Sequence, residues 1–442
     1  MKILIVAGYF PPYCPASASR VNKLAKFLED RGHDVHILCP KNEEFEAVLL
    51  PEISLERVHY TAFTQINDFP TSVKNFLKNL VGKGQAKSQE FSNKSNASDQ
   101  NTRIGKESKI SILYRNLFNI PDSLIGWYPH AVKEGGRLFK HWKPDIIFAT
   151  LPPFTTMLVA HRLGRMMEVP VIYDYRDLWS DHPYYGARGL RRYIDIFLEK
   201  KALKNCAGLV TVTETWARHL RETCTVPVEC IMNGFDPSDF SFDKQETFDK
   251  NKITLLYAGY LYGEKRDISV VLEALGMMGN LAQNFNILLY TPNGRADLSH
   301  HQNQLIAKYK LEDIVICNKY IPQKKLLRLQ QQVDVLMLLR WDHPSENGVI
   351  AGKLFEYIGA GKPILSLGST TGEASDIIKK MNFGLVSNDA GDVSRFLSDL
   401  WNARKKGDGK EILNQNRKYF TREVQFSKLV IFMEKVIFNY KK

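Results

Sequence analysis

The chain has 442 residues, with 60 Lys and Arg against 48 Asp and Glu for a formal charge of +12, and an apolar share of 44%. That length exceeds one ordinary core and predicts two domains, while the apolar share is that of a soluble globular protein. The basic surplus suits a polyanionic partner, either nucleic acid or the anionic face of a membrane, and the lack of any apolar run near ~20 residues excludes a spanning helix.

The opening Lys2–Gly8 run is short for a signal peptide, and Pro11-Pro12 follow it without a cleavage pattern. A buried first strand, Ile3–Val6, is the expectation. The six cysteines (Cys14, Cys39, Cys206, Cys224, Cys230 and Cys317) are scattered, with no metal-type pairs, so reduced thiols of a cytosolic protein are expected. Val21, Leu24, Ala25 and Leu28 recur at helical spacing and predict an amphipathic helix from about Ser17 to Arg31, closed by Gly32. Val35–Leu38 is the next strand, and such a β-loop-α-β unit belongs in a parallel sheet. Ser17 and Ser19 offer hydroxyls, with helix capping the favoured role for one of them.

Residues 82–108 are rich in Lys, Ser, Asn, Gln and Gly, too polar to bury a core, and predict a flexible loop. Asn93 and Asn96 fall in glycosylation-like triplets that read as coincidence without a secretory signal. On one side of this loop Val73, Phe76, Leu77 and Leu80 alternate with Lys74, Lys78 and Lys83; on the other, Ile110 to Trp142 mixes basic with aromatic and aliphatic residues, Trp127 among them. Two readings stand: an interfacial membrane contact, or helices packed on the core.

"PDIIFATLPPF" and "VPVIYDYRDLWSDHPYY" each read as a strand with a loop at its carboxyl end, where ligands gather in an open parallel sheet. Tyr173, Asp174, Arg176 and Asp177 lie at that edge. An arginine is no base at neutral pH, so Arg176 is an electrostatic group or the ion-pair partner that orients Asp177; a purely structural Arg–Asp pair is the other reading. "LVTVTETWARHL" reads as a strand then a helix, Asn233-Gly234 as a left-handed turn, and the polar run Asp239–Lys252 as a domain boundary. Strand–helix alternation resumes with Ile253–Ala258, a Gly259–Arg266 loop with adjacent cations Lys265 and Arg266, then Ile287–Leu289, Ile314–Ile316 and Val335–Leu339.

After this last strand comes the most informative stretch, Glu346 to Pro363. A glycine-bearing loop (Gly348, Gly352) leads into a short helix carrying Leu354, Phe355 and Ile358 inward, and Gly359, Gly361 and Pro363 stop it. Lys353 puts a cation at the positive end of the helix dipole, which is unfavourable unless an anion is bound there. A glycine-flanked helix N-terminus reinforced by a lysine is a phosphate site. Glu356 shares a face with Lys353 and is placed to accept hydrogen bonds from a ribose diol. The other reading is a simple Lys353–Glu356 pair on a surface helix.

"GKLFEYIGAGKPIL", with "RGHDVHILCP" and "CIMNGFDPSDF", resembles the retaining GT-B glycosyltransferases of glycosyltransferase family 4, in the branch that builds bacterial surface polysaccharides. The resemblance spans nearly the whole chain except about residues 41–108. It implies an α/β protein with two facing Rossmann-like doubly wound domains, 1–238 and 253–418, joined by a 239–252 linker, with a C-terminal helix (419–442) crossing back to the first domain. It implies Glu356 on the donor ribose and Lys265 on the donor diphosphate. The family commonly has arginine at Tyr260, so Arg266 is the cation left to supply that charge. Where many members carry a second glutamate this chain has Gly348, which leaves Glu346 as the nearby carboxylate. Many members have glycines at Pro15-Ala16 and a catalytic histidine at Arg176, and this chain has neither.

The resulting expectation is a hexosyltransferase that moves a sugar from a nucleoside diphosphate, UDP-linked, to a hydroxyl acceptor with retention. A lipid-linked cell-envelope glycan such as a lipopolysaccharide precursor is the expected acceptor, met on the inner face of the plasma membrane. Lys265, Arg266, Lys353 and a helix N-terminus would stabilise the leaving diphosphate. Arg176, Asp177, Lys265 and Lys353 are the catalytic candidates; Glu346, Gly348, Gly352, Glu356 and Arg266 join Lys353 at the donor. No metal or cofactor is expected, because no Asp or His cluster has ligand spacing. A GT-B nucleotide-sugar epimerase is the rival enzyme. A nucleic-acid-binding protein is the rival of another class, although the basic residues are dispersed and no binding motif accompanies them.

Overall fold

The computed structural model describes residues 1–12, 14, 18–43, 49–66, 119–182, 185–241, 248–249, 251–407 and 415–442. The polar stretch 82–108, the Val73–Lys83 segment, Ser17 and Pro15-Ala16 lie outside those residues. The chain divides into two compact units: Met1–Val212 with Ala217–Cys230 and Lys428–Lys442, and Thr213–Trp216 with Ile231–Ser427.

In the first unit β1 (Lys2–Ala7), α1 (Ser19–Asp30), β2 (Asp34–Pro40) and β3 (Val58–Thr61) are followed by α2 (Tyr128–Leu138), β4 (Ile146–Leu151) and α3 (Thr155–Met167). Then come β5 (Val171–Tyr175), α4 (Leu190–Leu203), β6 (Gly208–Thr211), α5 (Glu214–Thr223, of this unit from Ala217 onward) and β7 (Val228–Cys230). The strands run parallel in the order β3-β2-β1-β4-β5-β6-β7. Every residue of β4 and β5 is buried, because helices cover both faces of such a sheet; this is why the strands read as unbroken apolar runs.

The second unit repeats the plan. It comprises β8 (Ile253–Ala258), α6 (Ser269–Met278), β9 (Phe285–Tyr290), α7 (His300–Tyr309), β10 (Val315–Asn318), α8 (Gln323–Gln332), β11 (Val335–Leu339), α9 (Gly352–Ala360), β12 (Ile364–Leu367), α10 (Glu373–Lys380), β13 (Gly384–Val386) and α11 (Ala390–Lys405). The parallel order is β10-β9-β8-β11-β12-β13. Alternate strand residues feed two cores. Leu255, Tyr257, Ile287, Leu289, Val335 and Met337 pack with Leu272, Ile306 and Leu397 of α6, α7 and α11. Leu256, Leu288, Leu336 and Leu338 pack with Leu354, Phe355 and Ile378 of α9 and α10. Both units are therefore doubly wound Rossmann-like domains, each with a switch point where the strand order reverses: β1/β4 in one and β8/β11 in the other. The last helix, α12 (Arg422–Tyr440), belongs to the first unit from Lys428 onward, where Phe432 and Val436 lie so close to Gly208 that a Cβ there would come within 2.9 Å of the Phe432 ring.

Two local expectations are corrected and one open reading is decided. The N-cap of α1 is Ala18, with no side-chain cap, and Ser19 is already helical, so Ser19 does not cap it. Asn233 and Gly234 keep negative φ; Gly234 is needed for close approach instead, since a Cβ there would stand 2.8 Å from Arg422 N and from Phe420 O. Trp127 is fully buried and donates from Nε1 to Thr61 Oγ1 at 2.6 Å. Leu124, Ala131 and Phe139 are buried with it, which excludes Trp127 as a membrane anchor. Residues 110–118 of its segment lie outside the described residues; the described part, 119–142, reads as basic and aromatic because its apolar face is core and its basic face is solvated.

Candidate functional site

The carboxyl ends of β8 and β11 flank the second unit's switch point, and the loops that leave them carry most of the predicted donor residues. Lys353 is the second residue of α9, whose N-cap, Ala351, supplies no side-chain acceptor. Its ammonium lies 5.2 Å from the centre of the Tyr257 ring and makes no ion pair or hydrogen bond among the described residues. The surface pair with Glu356 therefore does not form. Desolvation, then the charge of Arg266, push the Lys353 pKa down to about 8, with Glu356 opposing the shift. The ammonium has room only because residue 259 is glycine: a Cβ there would lie 1.9 Å from Nζ. The N–H groups of Gly352 and Lys353 have no acceptor among the described residues, as expected for a first helical turn. Gly352 opens onto empty space, with no atom within 4 Å of a would-be Cβ.

Arg266 is fixed by the loop it belongs to. Its Nη1 donates to Tyr260 O at 3.4 Å, the same carbonyl that accepts from Tyr257 Oη at 2.7 Å, and its guanidinium lies 4.7 Å above the Tyr262 ring. Lys265 is exposed, with its ammonium 4.4 Å from the centre of the Trp341 ring at the end of β11. A cation over an indole is held electrostatically without a counter-ion, and this one links the two loops of the switch point. Glu356 is half-buried and accepts from Gln330 Nε2 at 3.2 Å, a contact from α8 that orients its carboxylate.

Glu346 sits in the short turn Pro344–Glu346, and Gly348 just beyond it is buried. This loop is held by Arg340, a residue the sequence reading missed. Arg340 is 5% exposed. It donates from Nη2 to Glu346 O at 3.0 Å, and from Nη1 to Ser369 O and Thr371 O at 3.1 Å each and to Ser375 Oγ at 2.7 Å. Burial lowers its pKa. One guanidinium thus ties the loop before α9 to the loop before α10. The only signal in the sequence was a cation directly after an apolar strand.

The remaining predicted residues lie in the first unit, at the carboxyl end of β5. Asp174 is 1% exposed; it pairs with buried Arg20 at 3.3 Å and accepts from Thr150 Oγ1 at 3.1 Å. Arg176 donates from Nε to Leu151 O at 3.2 Å and from Nη2 to Pro152 O at 2.6 Å, and burial lowers its pKa. Its guanidinium therefore braces the proline turn after β4. Asp177, 51% exposed at its side chain, faces His182 Nε2 at 3.8 Å, a partner the sequence reading did not name. Among the described residues no group of three His, Cys, Asp or Glu could hold a metal ion, and no helix is long and apolar enough to cross a membrane.

Fold and site together define a protein with two Rossmann-like domains of GT-B type and a cationic, glycine-lined helix N-terminus at one switch point. Residues 97–239 match the Glycosyltransferase Family 4 profile. Among curated proteins none matches significantly. Solved structures similar in fold include a sucrose-phosphate synthase from Thermosynechococcus elongatus, at 13% identity over 99% of both chains with a TM-score of 0.62. The Anabaena protein HepE in complex with UDP matches at 12% identity over 98% of this chain and all of its own, with a TM-score of 0.60. The lipopolysaccharide outer core galactosyltransferase WaaB matches at 13% identity over 99% of both chains, with a TM-score of 0.53.

Proposed function

We propose that the protein is a glycosyltransferase that moves a sugar from a UDP-linked donor to a hydroxyl acceptor with retention of configuration. The observation that carries this reading is the half-buried Lys353 ammonium. It is desolvated at a helix N-terminus with no protein counter-ion among the described residues, so the site is electrostatically incomplete without an anion. A nucleoside diphosphate supplies that anion, and Glu356, held by Gln330 one helical turn on, supplies an acceptor for the ribose hydroxyls. HepE, similar in fold, is known in complex with UDP, which supports the choice of base.

The bond from the sugar's anomeric carbon to the diphosphate oxygen breaks while the acceptor oxygen bonds to that carbon on the same face. The acceptor's proton passes to the departing phosphate. Charge grows on the diphosphate as this happens, so Lys353, Lys265 and Arg266 act where stabilisation of the transition state matters most. The diphosphate is carried by these cations, without a divalent metal. Arg176 and Asp177 act on the acceptor side, Arg176 as an electrostatic group. A lipid-linked cell-envelope glycan at the cytoplasmic leaflet is the acceptor class we favour, and the +12 charge supports an anionic surface nearby.

A panel of nucleotide sugars tested for protection against thermal unfolding identifies the donor, since a ligand of the folded state raises its apparent stability. The anomeric proton coupling in the product then reports the stereochemistry. Protection by a UDP-sugar and a retained anomer are expected. An epimerised nucleotide sugar released without any acceptor would overturn the transferase reading.

A further inference from the structure

Helix α4 of the first unit turns an unusual face to solvent. Leu190, Tyr193 and Phe197 are 72%, 74% and 63% exposed, and their spacing of three and four puts them on one side of the helix. The helix's two carboxylates are directed inward. Asp195 is buried and accepts from Tyr185 Oη at 2.6 Å and Arg191 Nε at 2.7 Å. Glu199 accepts from Tyr175 Oη at 3.0 Å and from Ser180 N at 3.1 Å. Apart from Arg191, the cations face outward: Arg188 and Arg192 at the start of the helix, and Lys200, Lys201 and Lys204 at its end, are all exposed. On the neighbouring helix α3, Arg162, Arg165 and Met166 are exposed as well.

An exposed apolar stripe bracketed by cations, with its own acids sequestered, calls for a partner that is apolar and negatively charged together. A second copy of the chain does not fit, because an isologous contact would set these cations against their own images. A bilayer with anionic headgroups does: aromatic and aliphatic side chains enter the headgroup boundary while lysine and arginine stems reach the phosphates.

We propose that this face of α4 seats the protein on an anionic lipid surface, with Leu190, Tyr193 and Phe197 entering the interface and Arg188, Arg192, Lys200, Lys201 and Lys204 meeting lipid phosphates. It gives the membrane-borne acceptor of the proposed function a definite docking surface and rests on that part of the reading, while the donor chemistry does not depend on it.

The test uses the full chain and sedimentation with phosphatidylcholine vesicles, with and without phosphatidylglycerol, at low and high salt. Wild type is expected to bind only the vesicles that contain phosphatidylglycerol and to keep part of that binding at high salt. The triple variant Lys200→Glu/Lys201→Glu/Lys204→Glu should lower the bound fraction at low salt by about tenfold or more. The double variant Tyr193→Ser/Phe197→Ser should remove the salt-resistant part. All five positions are exposed, so melting curves of the variants should match wild type. Binding that survives both variants unchanged overturns the assignment to α4 while leaving a membrane-borne acceptor standing. Absence of wild-type binding to every vesicle overturns both. A wild-type dimer that the serine variant dissolves without lipid assigns the face to a second copy and also overturns the proposal. UDP protection, measured on the same samples, reports the donor reading separately.

Discussion

The ammonium of Lys353 stands 1.9 Å from the point that a Cβ on Gly259 would occupy. The two positions are therefore one structural decision: a desolvated cation at the start of α9 requires a residue without a side chain after β8. Gly259 also holds φ at +148°, a conformation L residues rarely adopt. Gly259→Ala should displace the ammonium and cost about 1–3 kcal/mol of stability, and weaken UDP binding by about tenfold or more. Calorimetric titration and denaturant unfolding of the same variant separate the two effects; unchanged UDP affinity would show that the ammonium does not meet the ligand.

Lys353 also sets a pH dependence. Its folded pKa of about 8 lies below the ordinary 10.5, so between those values the unfolded chain binds more protons than the folded one. Through this group, ligand-free stability rises with pH in that window. Binding runs the other way. A diphosphate favours the charged ammonium, so UDP affinity should fall as pH rises through about 8, with proton uptake on binding above it. In Lys353→Arg the guanidinium stays charged, and the fall should disappear. Titrations in buffers of different ionisation enthalpy measure the uptake; affinity flat from neutral pH to 10.5 in wild type would refute the assignment.

Glu356→Ala should remove a charge-assisted hydrogen bond to the ribose and cost roughly 1.5–3 kcal/mol of UDP affinity, while inorganic pyrophosphate binds as before. Gln330→Leu should give a smaller loss of the same selectivity, because Gln330 only orients the carboxylate. Equal losses for UDP and pyrophosphate would mean that Glu356 acts on the phosphates or on the fold.

Arg340→Met should destabilise the second unit by about 3 kcal/mol, because four buried or part-buried acceptors lose the guanidinium at once. The loop before α9 should loosen with it, and amide exchange should rise across residues 344–351. Exchange confined to other segments would contradict the tethering role.

The strands were legible because a parallel sheet covered on both faces writes itself as apolar runs such as Val335–Leu339, which the structure reproduces residue for residue; the order of the strands, and so the switch points, came only from the structure. The α9 N-terminus was legible because glycine, lysine and a helix start are adjacent in the chain. What stayed hidden depends on contacts between distant segments. Arg20 reaches Asp174 across 154 positions, Arg340 reaches the loop after β12, and Gln330 comes to Glu356 from another helix. Trp127 stayed between two readings because an indole buried on a hydroxyl and an indole at a lipid interface have the same sequence surroundings. Gly234 did mislead: it is glycine for lack of space, while its neighbour Asn233 suggests a turn.

Titration of wild type and Lys353→Ala with UDP and with uridine tests most directly whether the β8/β11 strand ends hold a nucleoside diphosphate. Wild type should bind UDP far more tightly than uridine, and Lys353→Ala should weaken UDP by about tenfold or more while leaving uridine unchanged. Equal affinity of the two proteins for UDP would contradict the account.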